Sequence, residues 1–238
     1  MSYDPATKIH ELSAFGEFGG VNPSITDSST YTFLKSETMK ELFESEIEGC
    51  FLYSRHWNPS NKYLSDAISA LENSEASQIT ASGISAIACT ILQICKQGDE
   101  LISSRTIYGG TYALFKNILP RFGISVKFVD VTDLTAVKSA ISDNTKLIYC
   151  ESISNPLLDI SDLSALSKLA HSHDMKLVVD NTFSPMLLTP INLGADVVIH
   201  SMTKFINGTS DCVAGCISST KEFISTLSDV NNGMCMLL

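Results

Sequence analysis

Apolar positions beyond residue 60 alternate between helical and extended spacing. Apolar side chains recur at helical intervals in 63–71, 84–95 and 163–170, as they do in amphipathic helices. Short apolar runs rich in β-branched residues lie between or after these segments, at 101–103, 126–129, 147–150, 177–179 and 197–199. Strands that alternate with helices are typical of βαβ units. The pattern therefore predicts an α/β fold, with a mostly parallel sheet covered by helices on both faces.

Residues 1–60 follow a different pattern. They are rich in glycine, are interrupted by Pro23 and Pro59, and contain one segment of helical spacing at 37–47. This part has no evident core of its own, so we expect 1–60 to be an arm that reaches a neighbouring subunit and 61–238 to be the main domain. The chain ends in an apolar run, which favours either a fragment or an end that another segment covers.

Composition narrows the classes of function. The 238 residues include 16 lysines and arginines against 26 aspartates and glutamates, a formal net charge of −10. The basic residues form no cluster, so neither nucleic-acid binding nor membrane-surface binding is expected. No apolar run approaches the roughly 18 residues of a membrane-spanning helix, and the N-terminus lacks the features of a signal peptide. The seven cysteines, odd in number and without Cys-x-x-Cys spacing, indicate reduced thiols in a cytoplasmic protein.

Polar residues follow the predicted strands. Asp180 comes directly after one strand, Asn155 follows another, and Lys204 lies shortly after 197–199. Taken singly, Asp180 also fits a helix cap, Asn155 a turn and Lys204 a solvated amine. Because ligands of open parallel sheets bind beyond the carboxyl ends of the strands, we expect these residues to share one site. A lysine that can form a Schiff base and a carboxylate that keeps a pyridine nitrogen protonated are what pyridoxal phosphate (PLP) requires.

A phosphate site is predicted where a short strand passes into a helix, at Ser82-Gly83-Ile84. Glycine at such a turn exposes backbone N–H groups, and the positive end of the helix favours an anion. Ser201 and Thr203 offer hydroxyl donors, and Tyr108, just before the next predicted helix, offers an aromatic face for a planar ring. An ordinary helix start and an ordinary turn are the alternative interpretations of these two segments.

Four motifs occur in an order that resembles the Cys/Met-metabolism class of fold-type I PLP-dependent enzymes, whose fold is the PLP-dependent transferase type. They are Tyr53-Ser54-Arg55 with Asn58-Pro59, Tyr108-Gly109-Gly110-Thr111, Asp180-Asn181-Thr182 and His200-Ser201-Met202-Thr203-Lys204. The resemblance covers essentially the whole chain. The class contains cystathionine γ-synthase, cystathionine β- and γ-lyases, methionine γ-lyase and O-acyl-homoserine sulfhydrylases.

The resemblance implies roles for the matching residues. Lys204 would be the Schiff-base lysine, Asp180 the partner of the ring nitrogen, and Tyr108 a catalytic residue stacked on the ring. The other cofactor-binding positions would be Ser82, Gly83, Ile84, Ser201 and Thr203 at the phosphate, Asn155 near the ring hydroxyl, Thr182 after Asp180, and Tyr53 and Arg55, which would reach the phosphate of a neighbouring subunit. The active site would thus be shared between subunits of a homodimer or homotetramer.

The activity implied by the resemblance is that of a PLP-dependent lyase, which eliminates a thiol from cystathionine, methionine or homocysteine. The alternative is γ-replacement on an O-acyl-homoserine, because Gly110 stands where methionine γ-lyases usually carry cysteine. A catalytically inactive PLP-binding module is a third possibility. The class has a C-terminal small domain that supplies the arginine for the substrate carboxylate, and we expect this domain to be absent from the chain.

Two further segments carry candidate chemistry. His171 and His173 lie near a predicted helix end with no acidic or cysteine partner at ligand spacing, which favours a solvated terminus over a metal site. The run 212–216 has the pattern of a strand, so Cys212 and Cys216 are expected to pack in the core. No metal ligand is predicted.

Overall fold

A computed structural model describes residues 3–12, 16–44, 47 and 49–234. Its α-helices are α1 (Pro5–His10), α2 (Ser36–Glu44), α3 (Pro59–Glu72), α4 (Gly83–Ile94), α5 (Gly109–Ala113), α6 (Leu134–Ala140), α7 (Leu163–His171) and α8 (Lys221–Met234). Its strands are β1 (Ala76–Thr80), β2 (Glu100–Ser104), β3 (Ser125–Val129), β4 (Thr145–Glu151), β5 (Lys176–Asp180), β6 (Val197–His200) and β7 (Gly215–Ser219). A π turn (Leu114–Ile118) and short 3-10 turns (Glu17–Gly19, Leu119–Phe122 and Pro190–Leu193) complete the regular structure.

The strands of the described ranges form one seven-stranded sheet in the order β1-β7-β6-β5-β4-β2-β3. Strands β2 to β6 run parallel to one another, whereas β7 runs antiparallel to both of its neighbours. Each of the five apolar runs between 101 and 199 that predicted a strand lies within one. The predicted α/β class and the mostly parallel sheet are therefore confirmed, with β7 as the exception to parallel order.

Apolar cores cover both faces of the sheet. Consecutive strand residues point to opposite faces, so Tyr149 packs with α4 on one face and Ile148 packs with α7 on the other. Burial on both faces explains why the strands are continuous apolar runs in the sequence. Asp180 lies two residues after Val178, which belongs to the α4 side. The Asp180 side chain, at the end of β5, therefore lies on the same face of the sheet as α4.

Helix α3 starts where the N-terminal arm ends. Asn58 caps it by accepting a hydrogen bond from the Asn61 N–H (2.8 Å), and Pro59 occupies its first turn. Helix α1 of the arm lies on α3, where Ile9 packs against the apolar cluster of α3, β1 and β7. The first part of the arm therefore contacts its own chain.

Two predictions reach beyond the described residues. The helix predicted over 37–47 is α2, which ends at Glu44, and residues 45, 46 and 48 lie outside the described ranges. The apolar run at the end of the chain is described only as far as Met234 in α8. Within the described ranges, no helix has both the length and the apolar character needed to cross a bilayer.

The strand predicted over 212–216 begins later than expected. The backbone of Ala214 bonds to the Thr203 hydroxyl, so β7 begins only at Gly215. Cys216 is buried as predicted. Cys212 lies on the loop before the strand and is exposed, so the prediction that it packs in the core is wrong.

Candidate active site

Asp180 ends β5 as a fixed acceptor of hydrogen bonds. Its Oδ2 accepts from the Tyr149 hydroxyl (3.2 Å), and its Oδ1 accepts from the Thr182 N–H (3.0 Å). The side chain is only 9% exposed. Burial and the nearby acidic groups raise the pKa of Tyr149 well above its ordinary value, so this hydroxyl keeps its proton and remains a donor. A buried carboxylate held in this way is suited to pair with a cationic nitrogen.

Thr182 connects Asp180 to the loop after β6. Its hydroxyl accepts a hydrogen bond from the Ser201 N–H (2.8 Å). Ser201 lies against Gly83, where an added Cβ would be 2.6 Å from the Ser201 Cβ. Only glycine allows the turn before α4 to come this close. The ends of β5, β6 and β1 are thus brought to one place.

The start of α4 presents backbone donors at this place. Ser82 caps the helix by accepting a hydrogen bond from the Ser85 N–H (3.1 Å). The first backbone bond of the helix runs from the Ala86 N–H to the Ser82 carbonyl (3.1 Å). The N–H groups of Gly83 and Ile84 precede that bond, as the unpaired amides of a helix N-terminus do. Together with the positive helix end, they suit a phosphate group.

Gly215 and Thr203 support the turn from the other side. A Cβ at Gly215 would be 2.2 Å from the Ser82 carbonyl oxygen, so the close packing of β7 on this turn requires glycine. The Thr203 hydroxyl accepts from the Ala214 N–H (3.0 Å) and lies 3.2 Å from the Ala214 carbonyl. This hydroxyl therefore already has protein partners. Sequence analysis missed Gly215, because nothing local in its run points to Ser82.

Lys204 continues the loop that Ser201 begins. Its N–H donates to the Ser201 carbonyl (3.1 Å), and its own carbonyl accepts from the Gly208 N–H (2.8 Å). The backbone of this turn is thus held by its own hydrogen bonds, while Lys204 as a residue is exposed.

Glu151 joins two more of the predicted site residues. It ends β4 opposite Asp180 in the sheet register. One carboxylate oxygen accepts from the Tyr108 N–H (2.7 Å) and the other from the Asn155 N–H (2.8 Å). Burial and the charge of Asp180 raise the pKa of Glu151 from 4.5 to about 7, although the two N–H bonds oppose this. Sequence analysis assigned no role to Glu151.

The Tyr108 ring lies close to Gly110. It is 52% exposed, and a Cβ added to Gly110 would be 2.5 Å from the Tyr108 Cε1. A side chain at position 110 would therefore displace the ring from its observed position. Gly109, one residue earlier, has open space at its Cβ position.

Tyr53 and Arg55 form a pair on the arm. The Arg55 guanidinium carbon is 5.3 Å from the centroid of the Tyr53 ring. Tyr53 also forms a β-bridge with Thr30, and the Ser54 N–H donates to the Ser29 carbonyl (3.0 Å). The two side chains are thus held by the arm itself. Their role at the phosphate of a neighbouring subunit stays a prediction.

The two histidines at the end of α7, His171 and His173, have other partners. His171 Nε2 lies 2.9 Å from Asp196 Oδ2. Asp196 directly precedes β6, so this contact is at the amino ends of the strands, opposite to the candidate site. His173 Nδ1 lies 3.1 Å from the Leu169 carbonyl. Among the residues that the structure describes, no cluster of three or more histidine, cysteine or acidic side chains could hold a metal ion.

The Cys/Met metabolism PLP-dependent enzyme family matches residues 6–237. The chain belongs to this family. It is 43% identical to methionine gamma-lyase of Arabidopsis thaliana, over 99% of the chain and 55% of that protein. It is 39% identical to O-succinylhomoserine sulfhydrylase of Pseudomonas aeruginosa, over 87% of the chain and 51% of that protein. The chain spans about half the length of the curated relatives it matches.

Solved structures of the family share the fold. The crystal structure of cystathionine gamma-lyase from Lactobacillus plantarum, complexed with L-serine, superposes with a TM-score of 0.89 at 32% identity. The match covers 100% of this chain and 60% of that one. The fold-type I architecture predicted from the sequence is therefore confirmed.

The described residues fit PLP, the cofactor of the family. The close approach of Gly83 to Ser201 brings the Ser201 hydroxyl next to the turn whose backbone amides begin α4. Asp180 provides a buried carboxylate beside that turn. A phosphate and a pyridine nitrogen require these two kinds of partner.

Proposed function

We propose that the protein is a PLP-dependent carbon–sulfur lyase of sulfur amino-acid metabolism. It would release a thiol from a substrate such as cystathionine, methionine or homocysteine, with a 2-oxo acid and ammonia as the other products. The proposal rests on a series of contacts: Asp180 bonds to Thr182, Thr182 bonds to Ser201, and Ser201 packs against Gly83. Ser201 lies on the loop that continues to Lys204. The family membership of the chain supports the same activity.

Each residue has a part in this reaction. Bound PLP supplies an electron-accepting ring that stabilises the charge left when the substrate Cα–H bond breaks. The Lys204 amine would hold the cofactor and would accept the Cα proton of the substrate. Asp180 keeps the ring nitrogen protonated, and the Tyr108 hydroxyl gives a proton to the departing sulfur.

The phosphate and the ring hydroxyl have their own partners in the proposal. The Ser201 hydroxyl and the N–H groups of Gly83 and Ile84 bind the phosphate, with Ser82 capping the helix that carries them. The remaining proposed contacts are Thr203 at the phosphate, Asn155 at the ring hydroxyl and Thr182 between Asp180 and Ser201.

We also propose a homodimer or homotetramer in which residues 1–60 form an arm and residues 61–238 the PLP-binding large domain. Tyr53 and Arg55 would reach the phosphate of a neighbouring subunit, because the planar guanidinium binds phosphate with two parallel hydrogen bonds. Fully exposed apolar side chains of the arm, Phe18 and Leu34 among them, support its burial on another subunit. The small domain of the family would complete the substrate site.

The cysteines support a cytoplasmic compartment. None of the six cysteines of the described residues forms a disulfide bond, and Cys89, Cys95, Cys150 and Cys216 are buried. Burial raises the pKa of Cys89 and of Cys95 to about 12, so neither forms a reactive thiolate at neutral pH. Buried thiols outside disulfide bonds are typical of proteins in a reducing compartment.

The second candidate is γ-replacement on an O-acyl-homoserine. Gly110 favours it, because methionine γ-lyases usually carry cysteine there and a side chain at this position would move the Tyr108 ring. The similarity to O-succinylhomoserine sulfhydrylase of Pseudomonas aeruginosa supports it as well. The same residues would act: the Cγ–O bond breaks, the acyloxy group leaves as a free carboxylate, and a thiol adds at Cγ with loss of its proton.

The test combines cofactor trapping with product analysis. The protein is loaded with PLP, reduced with borohydride and mapped by peptide mass. We expect the label on Lys204, its loss in Lys204→Ala, and its retention in Lys168→Ala, which alters an exposed lysine on α7. Label on another lysine would contradict the proposal.

The loaded protein is then supplied with cystathionine, methionine or O-acetylhomoserine plus a thiol. Release of a 2-oxo acid and ammonia supports the lyase, and a thioether product supports γ-replacement. Labelled Lys204 without turnover of any substrate would identify a cofactor-binding module and would rule out both activities.

A further inference from the structure

We propose that Glu151 is a positioning residue that holds Tyr108 and Asn155 in their catalytic places. The inference rests on the proposed function, because it adds a residue to the same site. Glu151 is 4% exposed, and its two carboxylate oxygens receive N–H groups from two different loops, at 2.7 Å and 2.8 Å. Hydrogen bonds of this length to a carboxylate are among the stronger ones in proteins.

These bonds act on the main chain of the two loops. Tyr108 stands directly before α5 and has no side-chain cap of its own, so Glu151 supplies the acceptor at this helix start. Asn155 lies on the loop after β4, and its N–H returns to the same carboxylate. Strand β4 lies inside the sheet, so both loops are tied to a rigid element. Such support from rigid elements is what keeps a catalytic group in place.

Stability alone does not account for a carboxylate here. Glu151 lies next to Asp180, and no cation is bonded to it among the described residues. Burial beside a like charge disfavours its ionised form, as its raised pKa reflects. A carboxylate is nevertheless the side chain that can accept an N–H at each oxygen, which glutamine cannot do. The geometry thus favours a role in placing Tyr108 and Asn155.

Glu100, at the amino end of β2 and thus at the opposite end of the parallel strands from Glu151, makes a useful contrast. Its carboxylate is also largely buried, but it is bonded to Ser142 and Thr145 and lies 2.9 Å from the Lys127 amine. Burial would raise its pKa, yet these partners outweigh burial and lower it. Glu100→Gln therefore disturbs a buried strand glutamate far from Tyr108, and it serves as the matched control.

The first experiment measures amide hydrogen exchange in the cofactor-free protein. In Glu151→Gln the amide group can accept only one N–H, so we expect exchange at Tyr108, at Asn155 or at both to become about tenfold faster. Glu100→Gln should leave both amides unchanged. If each of the two amides exchanged at the same rate in Glu151→Gln as in the unaltered protein, the inference would be overturned.

The second experiment uses the bound cofactor and the reaction. We expect Glu151→Gln to change the visible circular dichroism of bound PLP, because the Tyr108 ring shifts, while Glu100→Gln does not. We expect kcat to fall about tenfold, and Tyr108→Phe to lower kcat less in the Glu151→Gln background than alone. Equal effects of Tyr108→Phe in both backgrounds, or an unchanged dichroism, would overturn the inference.

Absence of turnover in the unaltered protein would contradict the proposed function instead. Amide exchange and the dichroism of bound PLP would then still decide the role of Glu151.

Discussion

His200 Nε2 lies 2.6 Å from Glu72 Oε1, and both side chains are buried. The same oxygen accepts a hydrogen bond from the Asn181 side chain (3.1 Å). Asn181 directly follows Asp180, and His200 directly precedes Ser201. One carboxylate at the end of α3 therefore ties together the strand ends that carry the proposed ring-nitrogen partner and the proposed phosphate site.

Loss of this buried carboxylate should destabilise the whole domain. We expect Glu72→Ala to lower the free energy of unfolding by about 3–5 kcal/mol, because it removes the buried partner of the His200 Nε2 atom. The Asn181 amide loses one acceptor and keeps the Leu188 carbonyl. Urea unfolding of the cofactor-free protein measures the loss. Asp66→Ala is the control on the same helix, where it removes an exposed pair with Lys62 and should cost much less. Equal losses in the two variants would contradict the prediction.

The raised pKa of Glu151 predicts how stability depends on pH. The folded pKa is about 7, against an ordinary value of 4.5, so the folded state binds the proton more tightly. The stability that this group contributes is present below pH 4.5 and is lost as pH rises through 7. At about 1.4 kcal/mol per pKa unit, the loss is about 3 kcal/mol.

The measurement compares the cofactor-free protein with Glu151→Gln by urea unfolding at several pH values. The unaltered protein should lose stability relative to the variant between pH 4.5 and pH 7, the ordinary and folded pKa values of Glu151. Parallel curves would show that the pKa of Glu151 is the same in the folded and the unfolded state, which would contradict the prediction. The difference between the two proteins is the quantity of interest, because the other titrating groups are common to both.

Gly110 controls the position of the Tyr108 ring. A methyl group at Gly110 would be 2.5 Å from the ring, whereas one at Gly109 meets open space. We expect Gly110→Ala to lower kcat/KM by about 10- to 100-fold, because a catalytic group displaced by about 1 Å loses activity on this scale. Gly109→Ala lies in the same helix and should retain activity. Steady-state rates with the preferred substrate check this, and full activity in Gly110→Ala would contradict it.

Gly83 should set the affinity for the cofactor. In Gly83→Ala the new methyl group would be 2.6 Å from the Ser201 Cβ, so the α4 turn and the loop after β6 must separate. Separation of this kind costs about 1–3 kcal/mol, so we expect the Kd for PLP to rise about 5- to 150-fold. Equilibrium dialysis measures Kd, again with Gly109→Ala as control. An unchanged Kd in Gly83→Ala would place the phosphate elsewhere.

Much of the fold was open to prediction because periodicity is a local property. The run 177–179 predicted a strand and is one, and the turn at Ser82 begins a helix as expected. Strand β7 was harder to place, because its start depends on the bond between Ala214 and Thr203 rather than on its own pattern. Its antiparallel direction likewise follows from its pairing with β1 and β6.

The sequence by itself determined the fold class and named most residues that gather at the strand ends, because helix spacing, strand runs and strand-end residues are all written within a few consecutive positions. Only the tertiary structure decided which of these groups share a partner. Glu151 with Tyr108, Glu72 with His200, and Gly215 with Ser82 are pairs far apart in the chain. Such pairs form only when sheet register and helix packing bring the segments together. No local sequence pattern encodes these contacts.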